Sequence, residues 1–577
     1  MNQMLRYLDK VSKKPARSVI ITFLLIWMAV NIIQASFMEL HPDEAYYWIY
    51  SRFLDWGYFD HPPMVALSIW LGDSIFPNKL GLRLITILTT TASVYLLWLL
   101  VSRYAQNAVL FILLFCSFLL FHVYGFITTP DSPLLLFSIL FFYLYARYAR
   151  QDSIKLALCL SVVIALLLYS KYHGILLLLF TILSNSKLLK RPSFWLIVVV
   201  SVLLYIPHIW WQVSHDYPSV QYHLFDRSAR PYRINFTLDF IVGQILIAGP
   251  LVGWFLYWAA AKTKADDYLL KALKFNFAGI FIFFLLSTLK GSIEAHWTLL
   301  AFPPVFVLAY VYLSSRTVPG WFLKLAIANI LLIVIARVVL LVPIPFLKDL
   351  KPLRGYFGTE EWAKQVHRQA GNHYVVFNQG FQEPSNYNFY NRTVKSLGYT
   401  SRYYRRNQFD YWPVEDSLRN KDVYFVMPHS HGADVAQDSF PTAKGTHYGR
   451  LLQNVRLYQK VAVGVEPVAA AWNPAEERIL TLSIKNPYQE AINFSNQASG
   501  TWKCYLEYGF MLKGEIVEIN LLENALEGVI VAPQQSGLVN VRVKAPAEPG
   551  EYKLFFSIRT DPFAGNRNSK MIKVNVQ

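Results

Sequence analysis

The chain contains little cysteine and little charge. Only three of its 577 residues are cysteines, and Asp, Glu, Lys and Arg together account for 16% of it. Cys116 and Cys159 lie in apolar runs and Cys504 stands alone in the carboxyl-terminal part, so they form neither a disulfide framework nor a zinc-binding pattern. A soluble protein of this length carries more charge. These scarcities exclude a disulfide-stapled fold and argue against a soluble protein.

Apolar residues replace the missing charge. They make up 54% of the chain and concentrate in residues 1–345, in runs long enough to cross the ~30 Å hydrocarbon core of a bilayer. The sequence therefore predicts a polytopic α-helical membrane protein with a soluble carboxyl-terminal part. The basic amino terminus precedes an apolar run from Val19 to Phe37. That run is too long for the core of a cleaved signal peptide, so we expect a retained first helix.

The apolar runs predict about eleven membrane spans. They lie at residues 18–37, 82–101, 108–127, 132–149, 155–170, 174–185, 194–212, 238–259, 275–290, 297–314 and 319–342. Alternate loops are basic, which by the positive-inside rule places them and the amino terminus in the cytoplasm. The net charge of +17 follows from these loops and does not indicate nucleic acid. An odd number of spans puts the chain after Val342 on the outer side of the membrane.

The loops of the opposite parity hold the unusual polar residues. They are the 38–81 segment, Thr129-Pro130-Asp131, Ser170-Lys171-Tyr172-His173, the 213–236 loop and the segment from Lys290 to His296. The parity was assigned from basic loops alone, yet it gathers all of these segments on one face. The sequence therefore predicts a functional site on the outer face.

The carboxyl-terminal part divides into two predicted domains. Residues 346–457 mix helix and strand signals, with buried strands expected at 374–377 and 423–427. Residues 458–577 alternate apolar and polar positions between turns, as at 479–484, 539–543 and 552–556, which is typical of a β-sandwich. Together with the transmembrane domain 1–345, this gives three domains.

The segment from His41 to Trp48 places Asp43 and Glu44 before an aromatic run that begins with Tyr46 and Tyr47. Two interpretations are open. Acidic residues suit the first turn of an interfacial helix, where they stabilise the helix amino terminus. A carboxylate beside aromatic rings, which stack on sugars, also suits a general base that takes a proton from a carbohydrate hydroxyl.

Asp131 and Lys171 are each the only charged residue of a long apolar stretch. Asp131 is compatible with a helix cap and with a functional carboxylate. Lys171, with His173 two residues later, is compatible with a lysine that snorkels to the interface and with a ligand for phosphate. Both pairs of interpretations remain open from the sequence.

Further candidates lie in three outer segments. Lys290, Glu294 and His296 combine an acid with two cations, Arg227 belongs to a basic loop, and Asp60 with His61 follows the first acidic segment; these are candidate substrate-binding residues. His41, Asp43, Glu44, Asp60 and His61 include metal-ligand types, but their spacing is not diagnostic. No cofactor is therefore required, and a divalent metal remains open.

The ordered set of motifs resembles bacterial membrane glycosyltransferases of the GT-C fold. These include relatives of protein O-mannosyltransferases and of the aminoarabinose transferase that modifies lipid A. The resemblance rests on His41 to Pro63, Thr129-Pro130-Asp131, Ser170-Lys171-Tyr172 and Glu294-Ala295-His296-Trp297, and it spans residues 36–310. It departs from the family at Ala295, where relatives often have proline, and the β-rich segment from residue 460 lies outside it.

The resemblance implies transfer of a sugar from a polyprenyl-phosphate donor on the outer face of the bacterial inner membrane, with inversion. It implies that Asp43, beside Glu44, is the base or orients the acceptor, that Asp131 is the second acid, and that Lys171 contacts phosphate. The acceptor is a lipid such as lipid A, a surface glycan or a protein. The alternative from a different class is a flippase or transporter for a lipid-linked sugar, with the soluble part as a binding module.

Overall fold

The protein is described from a computed structural model, which covers residues 15–226, 232–344, 346, 350, 353–378, 380–402, 406–428, 438–467, 469–496 and 502–577. The chain divides into two compact units, Met1–Phe357 and Gly358–Gln577. The first unit is helical and the second contains all of the described strands. From residue 358 onward, both predicted extracytoplasmic domains fall within the second unit.

A helix is present in each of the eleven predicted spans. The helices of the first unit are Ala16–Phe37, Pro42–Arg52, Met64–Ile75, Lys79–Val101, Ala108–Ser117, Leu119–Val123, Asp131–Tyr148, Ile154–Ser170, Gly174–Ser184, Pro192–Ser214, Pro218–Gln221, Ile234–Ala248, Gly253–Lys262, Tyr268–Ser287, Phe302–Ser314 and Gly320–Val339. In the described residues, six helices are long and apolar enough to cross a membrane, or seven if one bent pair counts as a single span. The fold is that of a multi-pass membrane protein, and the count of eleven spans stays a prediction.

Two of the predicted spans are broken helices. The span at 108–127 consists of Ala108–Ser117 and Leu119–Val123, which meet at Phe118. The span at 238–259 consists of Ile234–Ala248 and Gly253–Lys262, which are bent by 87° to one another. Gly249 at this bend has φ +140°, a conformation that L side chains rarely adopt.

Two helices, Pro42–Arg52 and Met64–Ile75, lie in the segment between the first two predicted spans. Met64–Ile75 packs closely on Lys79–Val101. The helices are so near each other at Gly72 that a Cβ atom there would lie 2.1 Å from the carbonyl oxygen of Gly81. The other face of Met64–Ile75 exposes Leu67, Trp70, Leu71 and Ile75. An apolar, Trp-containing exposed face on a short helix is typical of an element lying at a membrane interface.

The second unit begins with a five-stranded sheet of order β2-β1-β3-β5-β4. The strands are β1 (Tyr374–Phe377), β2 (Ser396–Gly398), β3 (Val423–Met427), β4 (Asp438–Thr442) and β5 (Gly445–Leu452), and the helices are Thr359–Ala370, Gln382–Tyr390 and Val414–Leu418. Strands β1, β2 and β3 are parallel, whereas β5 is antiparallel to β3. The two strands predicted at 374–377 and 423–427 are confirmed.

Three further sheets, one of them the two-stranded pair β12-β9, form the strand-rich end of the second unit. Their strands are β6 (Ala462–Val465), β7 (Ala471–Trp472), β8 (Glu477–Lys485), β9 (Ile492–Asn493), β10 (Cys504–Leu512), β11 (Glu515–Leu522), β12 (Ile530–Val531), β13 (Ser536–Lys544), β14 (Gly550–Thr560) and β15 (Ile572–Val576). The sheet β11-β10-β14-β15-β7 and the sheet β13-β8-β6 enclose one apolar core that includes Trp472, Leu482, Phe510 and Phe556. This arrangement is the predicted β-sandwich type.

Candidate functional site

Arg83 and Glu44 form a fully buried ion pair beside the candidate site. Arg83 Nη2 donates to Glu44 Oε2 at 2.6 Å and Arg83 Nε donates to Glu44 Oε1 at 2.9 Å. Both side chains are completely buried. The pair joins helix Lys79–Val101 to helix Pro42–Arg52, in a bidentate geometry that fixes both partners.

Every hydrogen-bonding group of this pair is used. Arg83 also donates to the carbonyl oxygens of Ala35, Met38 and Glu39, which end the first helix. Glu44 also accepts from the backbone N–H of His41 and of Thr128, each at 2.9 Å. The pair therefore fixes three segments at once: the end of the first helix, the start of Pro42–Arg52 and the connection that leads to Asp131.

Asp43 lies next to this pair but is oriented differently. The His41 side chain caps the helix by accepting from the backbone N–H of Asp43, and Glu44 completes the capping box. The Asp43 side chain is 38% exposed and its Oδ2 lies 3.8 Å from His41 Nδ1. Capping thus belongs to His41 and Glu44, whereas Asp43 keeps a solvent-accessible carboxylate.

Aromatic side chains form the wall beside Asp43. Tyr46, Tyr47 and Tyr50 are buried and mutually packed, and the ring of Tyr47 also contacts His61 with centroids 5.6 Å apart. Burial raises the pKa of Tyr47 well above its usual range, and the carboxylates of Asp43, Asp60 and Asp131 raise it further. Tyr47 therefore stays protonated and lies within electrostatic reach of three acids from separate parts of the chain.

Asp131 and Lys171 form the second buried ion pair. Lys171 Nζ donates to both carboxylate oxygens of Asp131 at 2.8 Å, and each side chain is only 5% exposed. His296 Nε2 lies 4.0 Å from Asp131 Oδ2 and its side chain is 40% exposed. Asp131 thus pairs with a lysine 40 residues later and does not cap its helix, and Lys171 does not snorkel toward solvent.

His173 lies behind this pair. Its ring contacts Phe284 and Trp297, with centroids 5.2 and 5.4 Å away. Burial lowers the pKa of His173 well below its usual range, and the positive charge of Lys171 lowers it further, together with His61, His223 and His296. The ring is therefore neutral at pH 7. Its buried Nδ1 has no hydrogen-bond partner in the part of the chain that the structure describes.

Asp60 and His61 lie beside the aromatic wall formed by Tyr47 and Tyr50. Tyr50 donates from its hydroxyl to Asp60, and His223 Nε2 lies 2.9 Å from the Asp60 carbonyl oxygen. His61 is near both His223, with ring centroids 6.3 Å apart, and Tyr47. The segment around Asp60 therefore belongs to the same cluster as the segment around Asp43.

Three predicted substrate-binding residues are placed differently. Lys290 and Glu294 are exposed, and Glu294 begins the short 3-10 helix Ala295–Ala301 that carries His296. Ala295 accepts a hydrogen bond on its carbonyl oxygen from Gln244 at 3.0 Å, which fixes this segment without a proline. Arg227 lies outside the described residues.

Sequence reasoning missed Arg83 and Tyr124. Arg83 is the only charged residue between Lys79 and Arg103, which is the same signal that singled out Asp131 and Lys171. Tyr124 interacts electrostatically with both Asp131 and Asp43, as Tyr47 does. No sequence signal distinguishes Tyr124 from the other 35 tyrosines.

The described residues contain no group of three or more His, Cys, Asp or Glu side chains that is placed to hold a metal ion. A different kind of cavity lies among the helices. It has a volume of about 420 Å³ between Asp131–Tyr148, Ile154–Ser170, Gly174–Ser184 and Pro192–Ser214. Its walls are almost entirely apolar, and Leu168 and Ile175 line it on either side of Lys171 in the sequence.

Known proteins resemble this chain both in sequence and in structure. Residues 60–211 match the dolichyl-phosphate-mannose-protein mannosyltransferase family. The chain is 23% identical over 334 residues to lipid A galacturonosyltransferase RgtD from Rhizobium johnstonii, covering 53% of this chain and 67% of that protein. The crystal structure of ArnT from Cupriavidus metallidurans in the apo state matches with a TM-score of 0.56 and 16% identity, covering 75% of this chain and 98% of ArnT.

The ArnT structure bound to undecaprenyl phosphate matches with a TM-score of 0.53 and 15% identity over the same shares. These likenesses and the helical architecture define a class. The chain is a membrane glycosyltransferase with the GT-C fold. The fold class predicted from the ordered motifs is confirmed, and the enzyme is favoured over the flippase.

Proposed function

We propose that this glycosyltransferase moves a sugar from a polyprenyl-phosphate donor to a hydroxyl of a glycolipid acceptor such as lipid A, with Asp43 as the base. One observation carries the assignment of the base. Of the three acids Asp43, Glu44 and Asp131, Glu44 and Asp131 are buried in bidentate ion pairs, whereas the Asp43 carboxylate is 38% exposed. An acceptor hydroxyl can reach only an accessible carboxylate.

Donor and acceptor classes are inferred from the relatives. RgtD is a lipid A galacturonosyltransferase, and ArnT has been crystallised with undecaprenyl phosphate. A lipid acceptor and a lipid-phosphate donor both reach the site from the bilayer, which suits the exposed apolar face of Met64–Ile75 beside it. A protein acceptor is named only by the family that matches residues 60–211, and a surface glycan by none of these relatives, so both are less direct candidates.

Positive charge at the departing phosphate is the second chemical requirement. We assign it to Lys171 and His296, which flank Asp131. Because Asp131 neutralises Lys171 in the resting pair, the phosphate competes with Asp131 for the ammonium group. His296 is 40% exposed and contacts an arriving phosphate first. Lys290 and Arg227 remain candidate contacts for the same charge.

The prenyl chain of the donor is assigned to the apolar cavity. Leu168 and Ile175 line the cavity three residues before and four residues after Lys171. A donor whose phosphate contacts Lys171 therefore has an apolar path directly beneath its head group. The cavity is also lined by Tyr148, the last residue of its helix, and by Phe194, which lies near the start of Pro192–Ser214. Because the prenyl chain comes from an equally apolar bilayer, its binding in the cavity depends on packing contacts and not on removal from water.

A direct attack by the acceptor hydroxyl on the anomeric carbon inverts its configuration. Asp43 takes the hydroxyl proton, the new glycosidic bond forms, and the bond from the anomeric carbon to the phosphate oxygen breaks. Released polyprenyl phosphate carries the electron pair of that bond. We place this reaction on the outer face of a bacterial inner membrane, with the amino terminus cytoplasmic and the second unit extracytoplasmic, as the basic loops predict.

The test uses purified protein with an undecaprenyl-phosphate-linked sugar as donor and lipid A as acceptor. Mass spectrometry of the products is expected to show glycosylated lipid A and free undecaprenyl phosphate in equal amounts. Asp43→Asn and Lys171→Ala are expected to lower transfer by at least ~100-fold, within the usual range of a lost acid–base or charge-stabilising group. Arg103→Met, on an exposed loop residue, is the matched control. Full activity of both site variants would refute the assignment.

A further inference from the structure

The broken helix made of Ala108–Ser117 and Leu119–Val123 is held together by side chains of other elements. The break at Phe118 leaves the carbonyl oxygens of Cys116 and Ser117 without the next helical turn. Within a membrane such groups need an internal partner. His122 Nε2 lies 2.9 Å from the Cys116 oxygen, and Asn329 Nδ2 donates to the Ser117 oxygen at 2.8 Å.

Asn329 belongs to Gly320–Val339, the final helix of the first unit, and it is completely buried. Its Oδ1 accepts from the backbone N–H of Leu251 at 3.0 Å. Leu251 lies in the bend between Ile234–Ala248 and Gly253–Lys262. A single amide thus satisfies backbone groups at both broken helices of the unit.

Arg337, two turns further along the same helix, makes a second set of contacts. Its Nη2 donates to Asn31 Oδ1 at 2.9 Å and its Nε lies 3.4 Å from Gln34 Oε1. Its Nη1 lies 3.4 Å from His122 Nδ1. The guanidinium therefore links the first helix, the final helix and the broken helix.

This arginine is buried without an opposite charge. Arg337 is 8% exposed, and no carboxylate of the described residues lies within 4.0 Å of it. A buried cation that has only neutral partners costs free energy compared with an apolar residue of similar size. An apolar residue could hold two helices together without the free-energy cost of a buried cation. The planar fork of arginine does supply what an apolar residue lacks, namely donors in several fixed directions.

Arg337 is connected to Asp131 through the segment from Gly125 to Thr128, which precedes Asp131 in the chain. The Phe126 ring lies between Arg337 and Arg83, 5.2 and 5.6 Å from their guanidinium carbons. Gly125 packs so tightly on the first helix that a Cβ atom would lie 2.9 Å from Trp27 and 3.1 Å from Asn31. The next residues are fixed by Glu44, which accepts from the Thr128 N–H.

We propose that Arg337 is a positioning residue for Asp131. It fixes His122 and Phe126 at the start of the connection, while the Arg83–Glu44 pair fixes Thr128, so that the Asp131 carboxylate meets Lys171 in the bidentate geometry. Asn329 supports the same segment from the break at Ser117. The inference rests on the proposed function only in taking Asp131 to belong to the substrate site.

The test reads the position of Asp131 through Lys171 and needs no substrate. An amine-reactive acylating reagent is applied to the purified full chain, and the modification rate of Lys171 is measured by peptide mass spectrometry. Lys171 is 5% exposed and reacts slowly while Asp131 holds it. Arg337→Met is expected to raise this rate about fivefold or more, and Asn329→Leu to raise it less. Lys324→Met, an exposed residue of the same helix, is the matched control.

A double-mutant cycle distinguishes positioning from general destabilisation. If Arg337 acts through Asp131, Arg337→Met raises the Lys171 rate little further in an Asp131→Asn background. Additive effects of the two substitutions would overturn the proposal, and so would unchanged Lys171 protection in Arg337→Met. Should Arg337→Met fail to fold, Arg337→Gln, which retains a donor for Asn31, provides the same comparison. Loss of transfer by Asp43→Asn with an unchanged Lys171 rate in Arg337→Met would separate the two proposals.

Discussion

At the scale of single residues, the three acids Asp43, Glu44 and Asp131 differ in their partners. Glu44 accepts four hydrogen bonds and pairs with Arg83, and Asp131 pairs with Lys171. Asp43 alone of the three has a carboxylate that is more than a third exposed. Neighbouring carboxylates in one short motif thus separate into a structural acid and an accessible one.

Asp43 and Glu44 are therefore expected to respond oppositely to neutral substitution. Glu44→Gln leaves the Arg83 charge buried and without its partner, which costs on the order of 3–5 kcal/mol of unfolding free energy. Asp43→Asn changes an exposed side chain and is expected to alter stability by no more than about 0.5 kcal/mol while it abolishes transfer. Thermal denaturation in detergent, run beside the transfer assay, measures both. A destabilised Asp43→Asn would show that Asp43 is structural.

The Asp131–Lys171 pair gives a second prediction. Lys171→Met and Asp131→Asn each leave a buried charge without its partner, so each is expected to destabilise the protein by about 3–5 kcal/mol. The double variant removes both charges and is expected to regain a substantial part of that loss. Denaturation midpoints of the four proteins give the coupling energy. Independent, additive losses would indicate that the two groups do not interact.

Isolation in apolar runs singled out Asp131 and Lys171, and residue types in short polar segments singled out Asp43 and His296. Their role as site residues stays a prediction. The pairing was not predictable. Glu44 meets Arg83 across 39 residues and Lys171 meets Asp131 across 40, and neither distance has a local sequence pattern. Sequence chemistry indicates which groups are costly in a membrane, but tertiary packing decides which of them neutralise each other.

At the scale of elements, a helix lies in each predicted apolar run, but the runs did not predict the helices Pro42–Arg52 and Met64–Ile75, nor the break at Phe118. Gly249-Pro250 is a visible signal inside the predicted span 238–259, since glycine permits φ +140° there and proline cannot donate a helical hydrogen bond. The break at Phe118 has no glycine or proline. It depends on His122 and Asn329, whose contacts are tertiary.

The close packing of helix Met64–Ile75 on helix Lys79–Val101 gives an element-level prediction. A Cβ atom on Gly81 would lie 1.7 Å from the Phe76 carbonyl oxygen and 2.8 Å from that of Gly72. Gly81→Ala is therefore expected to separate Met64–Ile75 from Lys79–Val101 and to lower stability by about 1–3 kcal/mol. Gly320→Ala is the matched control, because nothing lies within 4 Å of a Cβ there. Equal denaturation midpoints for the two variants would contradict this packing.

At the scale of the whole molecule, the second unit joins its α/β part to its β-sandwich through Glu415. This fully buried carboxylate accepts from the Gln459 N–H and the Tyr488 hydroxyl, both at 2.8 Å. Burial raises its pKa from the usual 4.5 to about 7, while Lys460, Tyr488 and the Gln459 N–H lower it and Asp416 raises it. Lys460 itself pairs with Asp416 at 3.1 Å.

The sign of the pH effect follows from this direction. The folded unit retains a proton on Glu415 between pH 4.5 and 7, where the unfolded chain has lost it. The stabilisation is fully present below about pH 4.5 and is lost as pH rises through about 7, a change of about 3 kcal/mol. Hydrogen-exchange protection factors of the second unit in the full chain, corrected for the faster intrinsic exchange at higher pH, are expected to be larger at pH 5 than at pH 7.5. Glu415→Gln is expected to remove most of this difference.

The division of labour among the acids leads to the central claim, which is that Asp43 takes the acceptor proton. The most direct measurement compares Asp43→Asn with the unsubstituted protein in two assays. One is transfer from an undecaprenyl-phosphate-linked sugar to lipid A, and the other is binding of undecaprenyl phosphate alone. The account predicts that transfer falls by at least ~100-fold while the binding constant changes less than about twofold. Transfer at the unsubstituted rate by Asp43→Asn would contradict it.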